Sequence, residues 1–285
     1  MSQRTIKSSI PAQKVSEGAG VTVHRTIGTQ ALRNLDPFLM LDHFGSDNPN
    51  EYIAGFPDHP HRGFTTFTYM LDGHMLHKDS MGNTGHLKAG AAQWMKAASG
   101  VIHSEMPQQD NGLMRGFQLW INLPAAEKMS APEYQEYSAQ MFPIVNAQGA
   151  AVKVLCGEFN GTHGKIQDPH SQLNYFDINL SAHAELEIAT TSTHTCFAYV
   201  YQGTASANHD AMNTHALSVF TQGNSVKLSG GDSGARLIFV AGQPIGEPIV
   251  QYGPFVMNTR SEIETAFQDY QSGTLVQAKA KVQKD

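Results

Sequence analysis

Four side chains, arranged as two alternately spaced pairs, carry the chemistry-bearing pattern of this sequence. His59-Pro60-His61 sets two imidazoles two residues apart, and on an extended backbone that spacing puts both on one face. VIHSEM repeats the spacing with His103 and Glu105, so a neighbouring strand or its rim would add a third imidazole and a carboxylate. Three imidazole nitrogens and one carboxylate suit Fe(II), Mn, Co, Ni, Cu or Zn, and leave up to two octahedral positions open to water, oxygen or substrate. Donor softness does not choose among these ions. A lone HxH in a strand is more often structural than ligating, and a lone HxE more so. The joint occurrence, flanked by Gly55, Gly63 and Gly100, makes His59, His61, His103 and Glu105 the expected ligands of one divalent transition metal.

The other histidines read differently. His77, followed by Asp79, repeats the alternate spacing but lies just after a hairpin turn, so a solvated or hydrogen-bonded loop histidine is expected, as for His74 and His86. His43, in LMLDHFG, is a candidate to orient a ligand or line the pocket, because ligating imidazoles need a partner for their second nitrogen. His163, His170, His183, His194, His209 and His215 have no pair spacing and default to surface or structural roles. Neither Cys156 nor Cys196 sits in a CxxC or near a histidine pair, so both are expected as buried small hydrophobes rather than a disulfide or thiolate site.

The elements that position these residues read as mainly β. Twenty-six glycines and thirteen prolines punctuate short runs of Val, Ile, Thr, Phe and Tyr. GFTTFTYMLDG (63–73) alternates as a strand and turns at Asp72-Gly73; AAQWMKA and GFQLWINL follow as strands, the latter closed by Pro124. Residues 124–143 hold three prolines and several charges without alternation, and are expected to connect two lobes. The expected division is 1–130 for a metal-binding lobe and 131–285 for a second. LEIATTSTHTCFAYVYQG (186–203) lies over the run ending at Gly73 at a constant offset, with Tyr199 on Tyr69, as a duplicated barrel would leave. That offset puts Ala189 and Thr191 where His59 and His61 stand, so metal chemistry is expected in the first lobe alone. SEIETAFQDYQ presents Ser261 with Glu264 as a capping box, and Ile263, Ala266, Phe267 and Tyr270 at helical spacing. A short helix should end near Gly273, followed by a loosely held tail.

The bulk properties limit the function classes. Two domains fit in 285 residues, and 40% hydrophobic with 15% charged residues is ordinary for a globular chain. No run approaches the ~20 apolar residues of a membrane span, and the opening MSQRTIKSSIPAQK lacks an apolar signal core, so a cytoplasmic location is expected. A formal charge of -6 without a basic block argues against direct nucleic-acid binding. A monomer is expected, the two lobes covering their own sheet edges.

PFLMLDHFG, GFPDHPHRGF, TYMLDG, QWMKAASGVIHSEMP, LWINLP and AGQPIGEPIVQYGPFVMNT together resemble the pirin family of bicupins, in family order from about residue 20 to 260. The resemblance implies an all-β fold of two cupin-like antiparallel barrels with a short C-terminal helix. It also implies iron as the metal, held at His59, His61, His103 and Glu105. One departure stands out: pirins commonly read HRGFET where this chain has HRGFTT, with Thr65 in place of the glutamate. Because the family's carboxylate comes from HxE, Thr65 should leave the ligand set intact and retune the pocket or its surroundings. The activity implied is that of a quercetin 2,3-dioxygenase, opening a flavonol heterocycle with O2 and releasing carbon monoxide, with Glu105 as ligand and catalytic proton acceptor. Phe44, Phe56, Trp94 and Met106 are the aromatic and apolar candidates for its cleft. The alternative is an iron-binding, redox-sensitive regulator that contacts a protein partner without turnover; a closed, purely structural metal is the third reading.

Overall fold

The computed structural model describes residues 2–277 and 281–284. Two compact units form, and neither is continuous in sequence. One holds the segment up to Gln13, Thr29–Pro37 and Gln140–Pro244; the other holds Lys14–Gly28, Phe38–Ala139 and the segment from Ile245 onward. The linear division expected at residues 130 and 131 is therefore not the division of the fold. Each unit borrows a chain end: Ile6–Pro11 pairs antiparallel with Ala216–Phe220 in the first. Pairing of this kind covers a sheet edge that would otherwise present free backbone groups.

The first unit is built on one antiparallel sheet in the order Ile6–Pro11, Ala216–Phe220, Thr195–Ala207, Ser225–Gly242, Asn174–Leu180, Ala150–Cys156, Ile144–Ala147. Val152, Val154, Phe176, Ile178, Leu237 and Phe239 form its apolar core. Cys156 and Cys196 are buried free thiols, as their isolation in the sequence implies, and burial pushes Cys196 up to about 12.

The second unit packs two sheets. The smaller runs Phe56–His61, Val101–Pro107, His74–Asp79, Thr84–Lys88; the larger runs from Gln13–Glu17 through Val21–Arg25, Phe38–Ser46, Met114–Asn122, Phe64–Asp72, Ala92–Lys96 and Glu133–Tyr137 to Lys281–Lys284. Val23, Phe44, Met70 and Met114 of the larger sheet meet Met75 and Leu87 of the smaller in one core cluster. Part of the segment expected to link the lobes belongs here: Glu133–Tyr137 pairs with Ala92–Lys96, and Tyr134 is buried. Its charges hid the alternation, although both find partners on neighbouring strands: Glu133 meets Lys96 and Glu136 accepts from the His86 backbone N–H.

The C-terminal helix spans Arg260–Gln271 and buries Ile263 and Ala266. Its cap differs from the expectation. Thr259 and Glu262 form the capping box, and Ser261 lies inside the first turn. Gly273 adopts φ +74, a left-handed conformation that ends helices at little steric cost to glycine. The tail is not loose throughout: Leu275 is buried, its carbonyl accepts from Arg62 Nη2 at 3.3 Å, and Lys281–Lys284 pairs parallel with Glu133–Tyr137. The rest of the expected loose tail, residues 278–280 and 285, lies outside the described residues. No helix is long and apolar enough to cross a membrane among the described residues.

Candidate metal centre

Register brings the two alternate pairs together. Val101–Pro107 runs antiparallel to Phe56–His61 with His103 directly across from His59 and Val101 across from His61. The register shifts between His103 and Glu105, where the histidine-pair strand carries one extra residue and Glu105 comes to stand across from Phe56. On its other side the strand pairs with His74–Asp79, matching His103 with Asp79 and Glu105 with His77. Residues opposite one another share a face, so the interior of this small sheet carries His59, His61, His103, Glu105, His77 and Asp79.

The histidine pair behaves as the period-two argument requires. His59 Nε2 and His61 Nε2 lie 3.1 Å apart, and His59 Nδ1 contacts the Pro57 carbonyl at 2.8 Å. His103 completes the group, its ring centroid 4.3 Å from that of His59 and 4.8 Å from that of His61. Imidazole nitrogens bound at right angles to one first-row ion at about 2.1 Å stand about 3 Å apart, so the His59–His61 separation fits a shared ion. His103 Nε2 is buried without a hydrogen-bond partner, a costly position for a lone pair unless something else engages it. Burial, with the neighbouring His59 imidazole, holds His61 well below the ordinary histidine range, against the Pro254 backbone acting the other way. Burial and then His59, His61 and His77 do the same to His103. Both rings are therefore neutral near pH 7, the state that donates a lone pair.

Glu105 is held from the facing sheet. The Thr68 hydroxyl, with one proton to give, lies 3.1 Å from Glu105 Oε1 and 2.6 Å from Gln118 Oε1; Gln118 Nε2 donates towards Glu105 Oε2 at 3.4 Å. Ligand atoms of His59, His61 and His103 gather within 4.8 Å of one another, and so do those of His77, His103 and Glu105. His103 belongs to both groups and joins the carboxylate to the histidine pair. Among the described residues no comparable group lies wholly within the first unit.

A cleft of about 730 Å³ opens over His59, His61 and Glu105, a volume suited to a small organic molecule. Met40, Phe44, Phe56, Met75 and Trp120 supply apolar wall, and Thr68 and Gln118 supply polar wall. Arg25 stands in it between Asp42, which it meets at 2.7 and 2.6 Å, and Glu17 at 2.7 Å.

Several expectations change here. Phe44 and Phe56 line the cleft, whereas Trp94 and Met106 do not. Trp94 pairs with Phe67, on the strand face opposite Thr68, and Met106 pairs with Leu76 on the outer face of the small sheet. His77 is fully buried in a strand rather than solvated in a loop, and its Nδ1 lies 3.4 Å from His103 Nδ1. His43 stacks on Phe117 at 4.8 Å, while its chain neighbours Asp42 and Phe44 face the cleft. Thr65 lies three residues from Thr68 and so on the other strand face, where it pairs with Lys96 and touches neither Glu105 nor the cleft. Thr68 and Gln118 were not singled out in the sequence, and Asp79 entered it only as the alternate-spacing neighbour of an expected loop histidine. The spacing of Thr68 two residues from Thr66 on a strand was the available signal, but it does not distinguish a carboxylate holder from an ordinary strand threonine.

Comparison with known proteins agrees with this architecture. Residues 20–121 match the pirin family and residues 175–276 match the pirin C-terminal cupin domain. A Pseudomonas aeruginosa protein named "putative quercetin 2,3-dioxygenase" is 44% identical over 268 residues, covering 91% of this chain and 94% of its own. Human pirin is 38% identical over 277 residues, covering 95% and 93%. The crystal structure of quercetin 2,3-dioxygenase from Acinetobacter baumannii superposes with a TM-score of 0.89 at 30% identity, over 96% of this chain and 99% of that one. A nickel(II) complex of the Escherichia coli pirin YhhW shares the fold, with a TM-score of 0.67 at 18% identity over 83% and 98%. With both family segments present and identity sustained over nearly the whole length, this chain belongs to the pirin family.

Proposed function

We propose that the chain is a metal-dependent, pirin-like dioxygenase that opens the heterocycle of a flavonol such as quercetin with O2 and releases carbon monoxide. One observation carries this reading: His59, His61 and Glu105 line a partly apolar cleft, with His103 behind them belonging both to the histidine group and to the group that holds Glu105. His59, His61, His103 and Glu105 are the proposed ligands, and Fe(II) is the proposed ion. When bound, such an ion supplies a Lewis acid for a substrate oxygen and an electron path to O2.

The residues of the chain do the rest. Phe44, Phe56 and Trp120 offer flat apolar surface to an aromatic ring system and exclude water from it. Glu105 is the proposed acceptor of the flavonol hydroxyl proton. Thr68 and Gln118 hold its two oxygens from the facing sheet, so the carboxylate keeps its position when its charge is neutralised.

Anaerobic reconstitution with iron, metal analysis and a quercetin assay with carbon monoxide detection test the reading, with His61→Ala and Glu105→Ala alongside. Carbon monoxide from the wild type that disappears in both variants is expected. One iron per chain with no quercetin turnover would remove the dioxygenase assignment and keep the metal centre.

A further inference from the structure

Behind His103 lies a chain of polar atoms that the proposed reaction does not itself employ. The Asp79 side chain is almost fully buried, as is His77. Asp79 Oδ1 accepts from the backbone N–H groups of Met81 and Asn83, both at 2.9 Å. Oδ2 accepts from Asn83 Nδ2 at 2.7 Å and faces His77 Nε2 at 3.4 Å. His77 Nδ1 in turn faces His103 Nδ1 at 3.4 Å, and the far nitrogen of His103 is the buried, unpartnered Nε2.

Proton counting along this line leaves one consistent arrangement for neutral imidazoles. A carboxylate can only accept, so His77 carries its proton on Nε2 and offers a lone pair at Nδ1. His103 must then carry its proton on Nδ1, which leaves the lone pair on Nε2. Burial works to raise the Asp79 carboxyl, but the bonds from His77 and Asn83 outweigh it and hold the group below its usual range, so it is ionised.

We infer that Asp79 and His77 are positioning residues that set the tautomer of His103, keeping its proton on Nδ1 so that Nε2 faces the ion shared with His59 and His61. This rests on the metal centre proposed above. The relay extends the usual carboxylate–histidine–metal arrangement by one imidazole.

The test exploits the direction of the relay. In Asp79→Asn the oxygen retains the two backbone donors, so the new amide N–H₂ faces His77 Nε2, which must become an acceptor. His77 Nδ1 then donates to His103 Nδ1, and His103 Nε2 acquires the proton that blocks ligation. In His77→Asn the side-chain oxygen takes the place of Nδ1 and accepts from His103 whatever residue 79 presents. Co(II) is titrated into the metal-free full-length protein and followed by its d–d absorption, with thermal melting as the folding control.

Asp79→Asn is expected to weaken Co(II) binding about 10–100-fold and to alter the d–d bands. The same substitution in the His77→Asn background is expected to cost under about threefold, as a relay broken upstream transmits nothing. Equal losses in both backgrounds would make Asp79 a loop anchor acting through Met81 and Asn83, and would overturn the relay. Wild-type affinity in Asp79→Asn would overturn it as well. Failure of the wild type to bind Co(II) would instead remove the metal centre on which the inference stands.

Discussion

Lys96 stands directly across the sheet from Thr65, and its buried ammonium is held by Glu127 at 2.9 Å and Glu133 at 3.0 Å. Glu133 is itself the cross-strand neighbour of Lys96, so these groups share the strand face turned away from Glu105. A glutamate at position 65, the residue pirins commonly carry, would therefore meet Lys96 and not the metal. Two carboxylates from elsewhere already neutralise that lysine here. Thr65→Glu is expected to leave Co(II) affinity within about twofold of wild type and to lower stability by about 1–3 kcal/mol, because a third carboxylate would be buried beside one cation. Metal titration and urea denaturation of the same preparation check both halves. A large loss of metal affinity would mean that position 65 communicates with the centre.

The contrast between Thr65 and His59 explains what could be read from the sequence. His59 and His61 depend only on strand period, which local sequence specifies, and their facing nitrogens follow directly. Which side of the Phe64–Asp72 strand meets Glu105 depends on how two sheets stack, and Thr65 and Thr68 look alike until that is known. His77 was obscured by the Asp72-Gly73 turn, which closes no hairpin: Phe64–Asp72 and His74–Asp79 lie in different sheets, and the second is buried by pairing with residues nearly thirty positions away. The helix was legible from its periodicity. Its cap was not, because Thr259/Glu262 and Ser261/Glu264 satisfy the same local pattern, and it is Thr259 that takes the extended conformation before the first turn.

Thr68 gives a second prediction. Its hydroxyl bridges Glu105 Oε1 and Gln118 Oε1 across the two sheets. Thr68→Val keeps the β-branched shape that suits a strand but removes the bridge, leaving Glu105 with Gln118 alone. Co(II) binding is expected to weaken about tenfold with the fold retained by circular dichroism. Unchanged affinity would show that Gln118 suffices to place the carboxylate.

Acid sensitivity of the metal-free protein follows from His61 and His103. Burial holds both well below the unfolded-chain value of about 6.5. As pH falls below about 6.5 the unfolded chain binds protons that the folded one refuses, so stability falls with falling pH. The limit is about 1.4 kcal/mol per pH unit for each imidazole. Above about 6.5 both states carry these rings neutral and the contribution is flat. Denaturation midpoints measured from pH 7.5 to 4.5 should show this slope, and His61→Ala should reduce it. An identical slope in that variant would assign the acid sensitivity elsewhere.

Lys128 provides a prediction about what keeps the second unit closed around its borrowed C-terminal segment. Lys128 is 1% exposed, and its ammonium donates to the Gly63 carbonyl at 2.7 Å, to Asn122 Oδ1 at 2.6 Å and to the Val256 carbonyl at 3.0 Å. It thus ties the end of the histidine-pair strand to residues from the far end of the chain. Lys128→Met fills similar space and satisfies none of the three oxygens, each of which was desolvated on the assumption of a donor. The expected cost is about 3 kcal/mol or more. Lys227, in a surface pair with Glu185 at 2.8 Å and with both side chains over a third exposed, is the control; Lys227→Met should cost under about 0.5 kcal/mol. Thermal and urea midpoints of the two variants decide the matter. A Lys128→Met protein as stable as the Lys227→Met control would mean that water can enter behind Gly63 and replace the ammonium, and that the C-terminal segment is held by its apolar contacts alone.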